Sequence, residues 1–92
     1  MRGKSYDKLS NDALAIRNYD KVIQIDPNNA LAYSFRGSSY NYQKNYKKAI
    51  DDYNKAKSLD PNVYIRKADF ENSNLRYNEE VSRNLKIAKR NN

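Results

Sequence analysis

Cysteine, histidine and tryptophan are absent from the 92 residues, and glycine and proline occur twice each. Without cysteine there is no disulfide framework and no thiolate nucleophile. Without histidine or cysteine, zinc and copper lose their usual ligands. The side chain most often used as a general base near neutral pH is missing as well. No cluster of carboxylates or lysines points to catalysis instead, so no enzyme, no metal and no cofactor is expected. Long apolar runs are also missing: none approaches the ~20 residues that cross a bilayer as a helix. A membrane is therefore not an expected partner.

What is present is tyrosine and positive charge. Apolar residues make up 38% of the chain, and nine of them are tyrosines. The core has to be built from tyrosine rings with a modest set of Ile, Leu, Val and Ala. A chain of this length is one small domain, burying roughly 60–65% of its unfolded surface. The net charge is +7, with a pI near 9.6. That balance admits nucleic acid or an acidic partner, but by itself specifies neither fold nor ligand.

The chain also repeats itself. "RGKSY" at residues 2–6 returns as "RGSSY" at residues 36–40, 34 residues later. The same offset pairs Ala15 with Ala49, Ile16 with Ile50, Tyr19 with Tyr53 and Lys21 with Lys55. It pairs Asp26-Pro27-Asn28 with Asp60-Pro61-Asn62. A fixed period of this size is the mark of a repeat architecture. In the complete copy, residues 30–42 read as a first helix and "QKN" at 43–45 as a turn. Tyr46, Ala49, Ile50, Tyr53, Ala56 and Leu59 then recur at spacings of three and four, one face of a second helix. Pro61 ends it. Asn45 and Asn62 stand where they would cap the helices that follow. Gly37 in mid-helix costs about 1 kcal/mol against alanine. Its mate Gly3 holds the same place in the unit. Close approach of the partner helix at Ala49 and Ala56 accounts for both.

The period and these residues resemble the tetratricopeptide repeat, whose pattern is W-x₂-L-G-x₂-Y, then A-x₃-F, then P, over 34 residues. Here it reads Tyr33-x₂-Arg36-Gly37-x₂-Tyr40, Ala49-x₃-Tyr53, Ala56 and Pro61. Tyrosine replaces Trp and Phe. Arg36 departs from an apolar position, with its stem expected to pack and its charge to reach water. The resemblance implies an all-α fold, a short α-solenoid of antiparallel helix pairs with roughly two and a half to three repeats. Residues 1–29 are expected to form an N-terminally incomplete copy: the second half of a first helix, then a full second helix. Residues 30–63 form the complete copy, and residues 64–92 a degenerate copy that closes the stack. In that last stretch an offset of 34 fails, whereas 32 pairs Ala49, Tyr53 and Ala56 with Val81, Leu85 and Ala88. A two-residue deletion between Pro61 and Val81 is implied. Two further helices with a turn near Arg76–Asn78 are expected.

In this family the first helices line a concave groove that holds an extended peptide of a partner protein. By position, the peptide-binding candidates are Leu31, Ser34, Ser38, Asn41 and Tyr42. Lys4, Asp7 and Lys8 come from the incomplete copy, and Asn72 and Arg76 from the degenerate one. Together they predict a polar groove with basic edges, suited to a peptide with carboxylates. The co-chaperone clamp for a terminal carboxylate is not expected, because Phe35 stands where that clamp has Asn. Uncovered apolar residues of the first copy, among Leu14, Ile16, Tyr19 and Ile23, predict self-association, edge to edge or by exchange of helices. The rival reading is a basic helical module that binds nucleic acid non-specifically. It would use Lys44, Lys47, Lys48, Lys55, Lys57, Lys86, Lys89 and Arg90 on phosphates. Asp51, Asp52, Asp60, Glu79 and Glu80 interrupt these lysines, which argues against a phosphate-tracking stripe.

Overall fold

Asn29 starts the best-ordered part of the chain. In the computed structural model, which describes the backbone of residues 4–90 and the side chains of residues 11–86, its Oδ1 accepts the Ala32 N–H at 3.1 Å. That bond satisfies one of the orphan donors of a helix N-terminus and opens α2, Ala30–Tyr42. It follows α1, Lys4–Ile25, and precedes α3, Tyr46–Leu59, and α4, Lys67–Arg90. The described residues contain helices and connections only, as an α-solenoid requires.

The hairpin of α2 and α3 is the centre of the molecule. Between them Lys44 takes a positive φ of 66°, and its N–H and that of Asn45 close back onto the Asn41 and Tyr40 carbonyls at 2.9 Å. A left-handed conformation is unfavourable for a lysine. The packing of the two helices holds it. Ala49, Tyr53 and Ala56 form the buried stripe of α3, each with no exposed surface. An ideal Cβ built on Gly37 would lie 2.9 Å from Tyr53 Cε1 and 3.1 Å from the Ala49 carbonyl oxygen. The glycine is there for close approach, as its place in the repeat predicts, but it faces the Tyr53 ring and Ala49 rather than Ala56. Tyr53 also meets Phe70 of α4 edge-on at 5.5 Å. One ring thereby joins three helices.

Arg36 does not send its charge to water. Its Nε and Nη2 donate to the two Asp52 oxygens at 2.8 and 2.7 Å, and Nη1 donates to Asp20 at 2.7 Å. The guanidinium also lies over the Tyr33 and Tyr40 rings, 5.4 and 5.8 Å from their centroids. The hydrogen bond to Asp52 raises Arg36 well above its ordinary pKa, although burial opposes this. Burial pushes the Asp52 carboxyl up while the guanidinium opposes. With two short charged bonds in place, the pair is ionised at neutral pH. It ties α1, α2 and α3 together.

Four local expectations are corrected. Asn45 precedes α3 without a side-chain capping bond. Asn62 does not cap α4; its N–H donates to Asp60 Oδ1 in the turn after Pro61. Val63 stands 34 residues after Asn29 and has no oxygen to cap with, and Val63-Tyr64-Ile65 is rich in strand-prone types. Residues 63–66 therefore stay outside any helix, and α4 begins at Lys67. The third correction is α4 itself, which runs unbroken through the turn expected at Arg76–Asn78. At an offset of 34, buried Ser73 matches buried Ser39. From Val81 onward the offset of 32 fits. The two-residue shift thus falls between Ser73 and Val81, where the turn would be, and nothing there replaces Lys44. The fourth is α1, which likewise continues through residues 9–11, 34 positions before the turn at 43–45.

Candidate functional site

The concave face of α2 is where the predicted residues divide. Leu31, Ser38 and Tyr42 reach open surface. Ser34 and Asn41 do not, being 1% and 6% exposed. The Ser34 hydroxyl donates to the Tyr64 carbonyl at 2.6 Å, and Asn41 Oδ1 accepts from Asn72 Nδ2 and the Ser73 hydroxyl, both at 2.9 Å. These two residues, and Asn72 with them, fasten α4 and the residues leading into it onto α2. This is a correction: they are joints between helices, not contacts for a peptide. Arg76 pairs with Glu79 at 3.2 Å on exposed α4 and does not line the groove described next. Lys4, Asp7 and Lys8 belong to α1, and their side chains lie outside the described residues.

What opens on α2 is an aromatic cleft. It is lined by Tyr19 of α1; Phe35, Ser38, Ser39 and Tyr42 of α2; and Tyr64 and Arg66 of the non-helical stretch. Its volume is about 230 Å³. Phe35 is the middle of three rings, 6.0 Å from Tyr19 and 6.5 Å from Tyr64, tilted to both rather than stacked. Phe35 and Tyr64 remain 39% and 59% exposed. Leu31, Val22 and Ala32 extend the apolar surface past Phe35.

The polar groups of the cleft are held from behind. Ser38 Oγ lies 3.1 Å from the Tyr53 hydroxyl. The Tyr42 hydroxyl donates to Asp69 at 2.9 Å and accepts from Arg66 Nη1 at 2.6 Å. Burial, then the bond to Asp69, raises the Tyr42 pKa. The hydrogen bond to Tyr42 raises that of Arg66. Nothing in this arrangement is nucleophilic. Among the described residues no group of three or more carboxylates could hold a metal ion, and no helix is long and apolar enough to cross a membrane.

Position in the repeat found Leu31, Ser38 and Tyr42 but missed Tyr19, Phe35, Tyr64 and Arg66. Phe35 carried a signal, an aromatic residue at a place where a peptide clamp has a polar one. Tyr64 and Arg66 carried none, because their place depends on residues 63–66 staying out of α4.

Comparison with known proteins agrees with the period. A tetratricopeptide repeat model matches residues 30–63, and a second tetratricopeptide repeat model matches residues 1–29. Neither the curated proteins nor the solved structures returned a match. With a 34-residue period, an all-helical stack and family models spanning residues 1–63, the chain belongs to the tetratricopeptide repeat family, whose repeats generally mediate protein–protein interaction.

Proposed function

We propose that the chain is a non-enzymatic scaffold that holds an extended segment of a partner protein along the concave face of α2. The supporting observation is the cleft between Tyr19, Phe35 and Tyr64. Large, partly exposed rings on a rigid helix hairpin are the anchor type that peptide grooves use. At about 230 Å³ the cleft falls below the ~300–1,000 Å³ of small-molecule sites, but it can take a side chain. The net charge of +7 favours acidic partners through long-range attraction. The nucleic-acid reading gains nothing from the geometry: Lys47 pairs with Asp51, Lys48 lies over Tyr40 and Lys57 over Phe70.

Selection of a random peptide library on the full chain tests this. Enriched peptides should bind wild-type protein and lose affinity when Phe35 is changed to Ser. Absence of any selectable peptide contradicts the reading. Self-association belongs to the same proposal, because Leu14, Val22 and Ile25 leave an apolar strip exposed along α1. Sedimentation should show mass rising with concentration, and Leu14→Lys should reduce it. A single monomeric species up to several hundred micromolar removes self-association.

A further inference from the structure

We infer that the cleft recognises a two-part feature: one apolar side chain seated against Tyr19, Phe35 and Tyr64, beside a carboxylate held by Arg66. This rests on the scaffold reading above and gives it a ligand chemistry.

The apolar half follows from size and lining. A cleft of about 230 Å³ walled by rings at 38° and 57° to one another offers ring faces and edges to one inserted side chain. Aromatic walls reward such an insertion.

The acidic half follows from Arg66. Its guanidinium has five N–H donors. One goes to the Tyr42 hydroxyl, and the nearest Asp69 oxygen is 3.9 Å away, beyond hydrogen-bond length. The side chain is 60% exposed at the rim of the cleft. The planar fork suits a bidentate carboxylate. Tyr42, itself fixed by Asp69, orients the fork beforehand, which reduces the ordering cost of binding. The rings alone would also accept a cation. Arg66 and the net charge of +7 oppose one.

The test uses a phage-displayed nonapeptide library selected in parallel on the full chain and on Arg66→Glu. Wild-type protein should enrich peptides with an apolar residue next to Asp or Glu. A synthetic representative should lose roughly tenfold or more in affinity on Arg66→Glu, as for removal of a charged hydrogen-bonded pair. It should lose a similar factor when its own acid becomes Lys, and the Lys peptide should recover on Arg66→Glu. Arg66 is exposed, so the helical spectrum of the variant should match wild type. If the enriched peptides carry no acid, or favour Lys, or bind Arg66→Glu equally well, the inference is overturned while the scaffold reading stands. If no peptide is enriched, the scaffold reading itself has failed.

Discussion

Tyr53 and the residues around it decide how much strain the fold tolerates. Gly37→Leu puts a side chain where a single carbon already meets the Tyr53 ring at 2.9 Å. Overpacking of this kind should cost roughly 2–3 kcal/mol. Ser38→Leu forfeits one hydrogen bond at the cleft and should cost about 1 kcal/mol. Thermal melts of the two variants check this, and equal losses contradict it. Arg36 and Asp52 make a second test. Either single truncation strands a partly buried charge and should cost roughly 3 kcal/mol, whereas the double variant should lose much less than the sum. Additive losses in a denaturant series would show that the pair does not act as a unit. Alkaline pH gives a third. Burial pushes the Tyr53 hydroxyl up to about 12 from 10.0. A raised pKa means that folding favours the neutral form, so this contribution is complete below pH 10. It is lost as pH climbs toward 12. The melting temperature should therefore fall between pH 10 and 12, and Tyr53→Phe should flatten the fall. At this scale the glycine, the alanines and Tyr53 were legible as repeat positions. The fate of Arg36 was not, since Asp20 and Asp52 reach it from other helices.

The elements show where the period stops predicting. Residues 30–63 fold as the pattern says because its cues agree: a capping Asn29, a small Gly37, a turn at 43–45 and a stop at Pro61. α4 departs because those cues fail together. Val63 cannot cap, and the shift in register removes the residues that would form the turn. The second half of α4 is left outside the stack, with residues 81–86 all exposed, Leu85 at 57%. Amide hydrogen exchange should find the N–H groups of residues 81–86 opening far more readily than those of Ala49 to Ala56, which open only with global unfolding. Equal protection would mean that something covers α4. The apolar spacing of Val81 and Leu85 was readable; whether they would find a partner helix depended on a turn two residues too short to form.

For the whole molecule, the account places recognition on one side. The hairpin of α2 and α3 forms the rigid body, α1 and residues 63–66 wall the cleft, and the outer face of α3 carries charge already engaged with neighbours. Fold class and the concave helix were readable from the 34-residue period. The aromatic character of the site was not, because two of its rings and its arginine come from outside α2. The most direct measurement is a chemical-shift map of the ¹⁵N-labelled chain titrated with a library-selected peptide. The account predicts the largest changes at Tyr19, Phe35, Ser38, Tyr64 and Arg66, with Lys47, Lys55 and Ser58 of α3 unmoved. Changes centred on those α3 residues, with the cleft silent, would contradict it.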